Sequence, residues 1–181
     1  MIKTYVIDTN VLIQAPYAIE CFEENNLVLP LVVLEELDGL KKAEGEKGAN
    51  ARAAVRKLES YRQKGDLLQG VKLPGGGILR IEKNFVQVEL PQDIPDDKPD
   101  NRILKVCKGL AETEKEGQVI LVTKDIVLRL KAQILGIRAE DFERERISED
   151  DAQYTGRTEI YFPEEKVKEF NGVYHVLHGN L

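Results

Sequence analysis

At 181 residues, with 42 % hydrophobic and 32 % charged side chains, the chain can bury one ordinary globular core and is too apolar for a mostly disordered polymer. A net charge of −6 argues against coating nucleic acid by bulk electrostatics, and no apolar run reaches the length of a membrane span. Cys21 and Cys107 belong to no recognisable disulfide framework, and Asp8 interrupts any signal-peptide core, so the expectation is a soluble, cytoplasmic protein with no membrane partner.

In chain order, Tyr5-Val6-Ile7 reads as a buried strand that stops at Asp8-Thr9-Asn10. Residues 10–24 read as helical, with Pro16 marking a break or a new first turn. Leu27-Val28-Leu29 is a second strand, closed by Pro30. Val32, Val33, Leu34, Leu37 and Leu40 give a helix ending near Gly45. A stronger helix covers 49–64, with Ala51, Ala54, Val55 and Leu58 on one side.

From 66 to 83, short apolar runs flank Pro74-Gly75-Gly76-Gly77, which reads as a β-hairpin excursion with a flexible tip. Residues 91–99 form a loop. Asp100 stands where a helix N-cap belongs, ahead of Ile103, Leu104, Val106, Cys107 and Leu110. Val119-Ile120-Leu121-Val122 is a further strand, ending in Thr123-Lys124-Asp125. A helix over 126–135 follows, closed by Gly136. Ile137 and Ala139 are brief, and the tail past Glu143 is weakly patterned, with one short helix over 164–170. The alternation predicts an α/β fold: a mostly parallel sheet with helices on both faces.

The chemistry follows from the strand ends. Ligands of open α/β sheets bind beyond the carboxyl ends of parallel strands. Two strands that each deliver an Asp to that edge, Asp8 and Asp125, would crowd carboxylates there. Such acids repel one another unless a cation neutralises them, and hard oxygen donors suit Mg²⁺ or Mn²⁺. The segment from Lys41 to Lys64 is basic, with Lys41, Lys42, Arg52 and Arg56 among its cations, and Arg52 and Arg56 share a helix face. It reads either as a solvated surface or as a ridge contacting phosphates. Plainer roles exist for the acids too: Asp8 and Asp100 as helix caps, and Asp125 as a charge favoured at a helix start. Asp141 reads as a solvated loop acid, and His175 and His178 as surface residues.

Val6-Ile7-Asp8-Thr9-Asn10-Val11-Leu12, Glu35-Glu36-Leu37, Asp100-Asn101-Arg102-Ile103-Leu104 and Val122-Thr123-Lys124-Asp125 resemble, in order, the acidic motifs of PIN-domain nucleases. Leu29 to Asp38, and Thr123-Lys124-Asp125 followed by Ile137 to Asp141, look most like the PIN half of PIN–PhoH fusion proteins. The resemblance implies a three-layer α/β/α sandwich with a mostly parallel sheet, occupying residues 1–142, with 143–181 an extension or linker. It also implies an endoribonuclease that hydrolyses RNA with one or two Mg²⁺ or Mn²⁺ ions. Asp8, Glu36, Asp100 and Asp125 match the metal-binding acids. Asn10 and Thr123 match polar residues that steady the first and last of them, Asp141 matches a further acid of some members, and Glu35 competes with Glu36 for the second position.

Implied partners are RNA, a PhoH-type ATPase domain absent from this chain and, since members often form dimers or rings, further copies. Against this stand a PIN-like module that binds RNA or a partner without cutting, and a toxin-type ribonuclease.

Overall fold

Runs of β-branched and aliphatic residues build the centre of a six-stranded sheet. A computed structural model describes residues 2–95, 97–113 and 118–143, which belong to a compact unit spanning residues 1–144. The expected helix over 164–170, His175 and His178 lie outside the described residues. Strand β1 (Thr4–Ile7) lies in the middle, flanked in parallel by β2 (Asn26–Pro30) and β5 (Val119–Val122). All four β5 residues and the last four of β2 are buried, as expected of strands covered on both faces.

The hairpin forms as expected, but it is part of the sheet. Strand β3 (Val71–Lys72) pairs antiparallel with β4 (Ile78–Glu82), and β4 pairs in parallel with β2. Hydrogen bonding across the sheet absorbs what alternation alone marks as an excursion. On the other flank, β6 (Arg138–Glu140) pairs in parallel with β5. Three residues around one small apolar side chain give too short a pattern to mark β6 as a strand in the sequence.

The sheet order is β3-β4-β2-β1-β5-β6, and all strands but β3 run in parallel. The chain winds outward from β1 to β2 and β4, then returns to the opposite side of β1 to form β5 and β6. The winding therefore reverses between β1 and β5, where α/β sheets open a crevice at their carboxyl ends.

Helix α1 (Thr9–Gln14) follows β1, and Pro16 opens a short 3-10 segment, Pro16–Glu20. Helix α2 (Leu31–Leu40) begins directly after β2, and α3 (Gly45–Arg62) begins four residues earlier than its apolar pattern suggests. Helix α4 (Pro99–Thr113) starts with Pro99, whose missing N–H costs nothing in a first turn. The N–H groups of Asn101 and Arg102 both bond Lys98 O, so Asp100 sits inside the first turn rather than at the N-cap. Helix α5 (Ile126–Ile134) closes through Gly136, whose φ of 69° suits a residue without Cβ.

The core contains Ile7, Leu12, Leu27, Leu29, Leu79 and Ile120, all fully buried. Each such side chain contributes roughly 1.5–3 kcal/mol of transfer free energy. Gly109 admits the loop after β4 against α4: a Cβ there would meet the Phe85 ring at 2.2 Å.

Candidate active site

Asp8 and Asp125 follow the two strands that border the reversal. The N–H of Asp8 bonds Val122 O at 3.0 Å, fastening the end of β1 to the end of β5. Asp8 occupies the N-cap position of α1, yet its side chain caps nothing, which removes the helix-cap explanation for this acid. It is 2 % exposed, and its Oδ2 accepts from Thr123 Oγ1 at 2.6 Å and from Asn10 Nδ2 at 3.1 Å.

Burial is the main cause that pushes the Asp8 carboxyl above its ordinary range. The Thr123 hydroxyl works against it, the charges of Asp100 and Glu36 raise it further, and a backbone bond from Thr9 lowers it. The acids expected from the second and third motifs thus lie close enough to Asp8 to be felt as charges.

Glu36 is half-buried and accepts from Thr9 Oγ1 at 2.5 Å, whereas its neighbour Glu35 is exposed. That contact turns Glu36 towards the end of β1. Asp100 is half-buried in the first turn of α4. The start of α4 is held by Asn101, which is 2 % exposed: its Nδ2 donates to Pro95 O at 2.6 Å, and its Oδ1 accepts from Lys131 Nζ at 3.0 Å.

Asp125 differs from the other three. Its Oδ1 accepts from the N–H groups of Val127 at 2.7 Å and Leu128 at 3.1 Å, so it is a true N-cap of α5. Its own N–H donates to Thr123 Oγ1 at 3.0 Å. One hydroxyl therefore fastens Asp8 and Asp125 to the same point.

Asp141 stands just past β6 between two cations, with Lys124 Nζ at 3.4 Å and Arg129 Nη1 at 3.3 Å. Arg129 Nη1 also donates to Thr123 O at 2.9 Å. Among the described residues, no three His, Cys, Asp or Glu side chains are drawn together tightly enough to hold an ion as they stand.

The basic segment is largely committed to the fold. Arg52 Nη1 donates to Lys41 O at 2.7 Å and to Ala43 O at 3.4 Å, clamping the turn between α2 and α3. Lys41 pairs with Asp38 at 2.5 Å, whereas Lys42 and Arg56 are exposed.

Three residues with work at this edge carry no role in the sequence reading: Thr9, Asn101 and Arg129. Thr9 was within reach, as a hydroxyl directly after a motif acid. Asn101 was not, because its partners stand 6 and 30 residues away.

A sheet whose winding reverses beside a buried acid, with the charges of Asp100 and Glu36 felt there, defines an α/β domain with an acidic carboxyl edge. A model of the PIN domain family matches residues 5–143, and the chain belongs to that family, whose members are generally metal-dependent nucleases. It is 45 % identical over 177 residues to Protein PhoH2 of Bacillus subtilis (strain 168), covering 95 % of this chain and 40 % of that protein. It is 36 % identical over 168 residues to Protein PhoH2 of Thermobispora bispora, covering 92 % and 37 %. The chain thus spans about two fifths of the length of these curated relatives.

Among solved structures it is similar to the PIN domain of human SMG5, with TM-score 0.48, 17 % identity, and coverage of 81 % of this chain and 98 % of that one. A domain of a functionally unknown protein from Methanocaldococcus jannaschii DSM 2661 gives TM-score 0.48 and 19 % identity, covering 89 % and 99 %. No described helix is long and apolar enough to cross a membrane.

Proposed function

We propose that this chain is a divalent-metal-dependent endoribonuclease that hydrolyses RNA phosphodiester bonds at Asp8, Glu36, Asp100 and Asp125. The observation that carries the reading is Asp8: a buried acid that caps no helix and is crowded by the charges of Asp100 and Glu36. A fold keeps a desolvated acid beside further negative charges at a cost, and a hard cation offsets that cost. The donor set fits Mg²⁺ or Mn²⁺, since every candidate donor is a carboxylate oxygen and no soft ligand is among them.

When bound there, such an ion supplies charge screening for the scissile phosphate and a water acidic enough to act as nucleophile near neutral pH. The chain does the rest. Thr123 and Asn10 orient the Asp8 carboxylate from one side, leaving its position fixed by two donors. Thr9 orients Glu36, and the Asn101 bonds set the start of α4 and with it Asp100. Asp125 is divided between capping α5 and facing the edge, so its share in the site is through the oxygen that the cap leaves over.

RNA is the substrate implied by the family resemblance, and the exposed Arg56 and Lys42 add positive charge beside a chain that is acidic as a whole. The greater length of the PhoH2 relatives supports a further domain working alongside this one, consistent with the PhoH-type ATPase partner. It also favours the fusion-type reading over a stand-alone toxin.

The deciding experiment is cleavage of a labelled single-stranded RNA with Mg²⁺, Mn²⁺ or EDTA, with Asp8→Asn in parallel. Metal-dependent cutting that disappears in Asp8→Asn is the expected result. An intact substrate under both metals would make the chain a binding module instead.

A further inference from the structure

Cations that face an acidic catalytic edge are either braces of the fold or hands for the substrate. The turn from β5 into α5 carries both kinds of charge: Asp125, and next to it Lys124, with Arg129 one helical turn further on. Both cationic side chains are partly exposed, at 32 % and 25 %, and both reach Asp141. Two positive groups share one carboxylate, leaving an excess of one positive charge beside the acids.

The contacts are also slack. Ion pairs elsewhere close to 2.5 Å (Lys41–Asp38), 2.6 Å (Arg62–Glu59), 2.7 Å (Lys57–Glu20) and 2.8 Å (Arg138–Glu140). Those to Asp141 stand at 3.4 and 3.3 Å, longer than the 2.7–2.9 Å usual for charge-assisted bonds; among the described pairs only Arg80–Glu82, at 3.7 Å, is looser. The donors keep their best bonds for backbone oxygens: Lys124 Nζ to Phe142 O at 3.1 Å and Arg129 Nη1 to Thr123 O at 2.9 Å. Those bonds fix the two cations in place whether or not Asp141 is engaged.

We propose that Lys124 and Arg129 form a subsite for a backbone phosphate of the RNA strand on the β6 flank of the acidic centre, with Asp141 standing in for that phosphate in the free protein. This rests on the ribonuclease reading above. A polyanion approaching four carboxylates needs fixed positive charge close by, and Arg52 and Lys41, expected from the sequence to supply it, are engaged with backbone and Asp38. Lys124 and Arg129 are built on the turn that positions Thr123 and Asp125. A phosphate held there sits one element away from Asp8. Asp141 then competes with RNA instead of assisting it.

A brace and a subsite predict opposite signs for one substitution. If Lys124, Arg129 and Asp141 only brace the fold, Asp141→Asn and Lys124→Gln act alike, lowering the melting temperature and doing nothing specific to RNA. If they form a subsite, Asp141→Asn tightens RNA binding while Lys124→Gln weakens it. The measurement is fluorescence anisotropy of a labelled single-stranded RNA with Mg²⁺ on the full chain carrying Asp8→Asn, across a salt series, with melting curves for each variant.

The expected result is a three- to ten-fold loss for Lys124→Gln, with the salt slope smaller by about one, retention in Lys124→Arg, and a three- to ten-fold gain for Asp141→Asn. Arg129→Gln should follow Lys124→Gln, but because it also holds Thr123 O it is not the deciding variant. Unchanged or weaker binding by Asp141→Asn, or an unchanged slope for Lys124→Gln, overturns the subsite. Cleavage by the otherwise unaltered chain is scored separately. Its absence with both metals overturns the ribonuclease reading, whereas cleavage with unmoved affinities overturns the subsite alone.

Discussion

The ends of β1 and β5 share a local pattern, an apolar run and then an Asp at the N-cap position of the helix that follows, and they use it differently. At β5, Asp125 bonds two N–H groups of the helix it precedes. At β1, Asp8 occupies the equivalent position, leaves its helix uncapped and turns to a hydroxyl 115 residues away. Asp125 is held by its own next turn; Asp8 is held by the sheet. A motif can therefore deliver an acid to an edge without saying whether that acid stabilises the chain locally or is kept at a cost.

The largest effect should come from Asp8→Asn. Cleavage should fall by at least about 10³-fold, the scale of several kcal/mol of charge stabilisation lost from the transition state. The metal-free protein should instead melt about 2–4 °C higher at neutral pH, the effect of about 1 kcal/mol in a domain of this size. The pH dependence carries the sign. Because the folded Asp8 carboxyl is raised above its unfolded value, its favourable contribution is complete below the unfolded value and is lost as pH rises through the folded one. Melting in EDTA from pH 4 to 8 should show the unaltered chain losing ground to Asp8→Asn as pH rises. Parallel curves would mean that Asp8 is not strained.

Asp125 sharpens the contrast. Asp125→Asn keeps a capping oxygen and should leave the melting temperature nearly unmoved while removing cleavage. Asp125→Ala should lose cleavage and also about 1 kcal/mol of stability, read by urea unfolding. Equal stability of the two variants would deny the cap.

Thr123→Val tests the point the two acids share. It deletes the donor to Asp8 Oδ2 and the acceptor of the Asp125 N–H. Activity should drop about 10–100-fold, as for the loss of an outer-shell partner of a metal ligand. Since the hydroxyl holds the Asp8 carboxyl down, the acid limb of the rate–pH profile should move to higher pH. A limb that stays put would separate Thr123 from Asp8.

The smallest effect belongs to Arg56→Gln, an exposed substitution that should reduce the salt slope of RNA binding by about one at unchanged melting temperature. An unaltered slope would leave Arg56 on a merely solvated face of α3.

Much of the fold was legible because long periodic segments signal themselves. The strands at Tyr5, Leu27 and Val119 lie where the apolar spacing puts them, and helices follow each. The one after β1 is shorter than the spacing suggests, breaking at Pro16 into a 3-10 segment, and α2 stops at Leu40, short of Gly45. What escaped was short or depended on neighbours: β6, with three residues, and the place of β4 inside the sheet. The start of α4 moved because Pro99 is itself a good first helical residue, so Asp100 came to lie one step inside the helix. The Thr9 contact adds a geometric reason to the preference for Glu36 over Glu35 that the motif match already gave.

By itself the sequence determined that Asp8 and Asp125 follow the ends of strands, because apolar runs ending in Asp are written in local order and alternation sets the class of fold; Glu36 and Asp100 came only with the family resemblance. Only the tertiary structure decided their states. Whether an acid is desolvated, crowded or tied to a helix depends on groups far away in the chain: Thr123 beside Asp8, Asp100 and Glu36 within range of its charge, Lys124 and Arg129 around Asp141. Burial and Coulomb interaction depend on distance in space, and a chain folded as a parallel sheet brings its distant strands together at one edge.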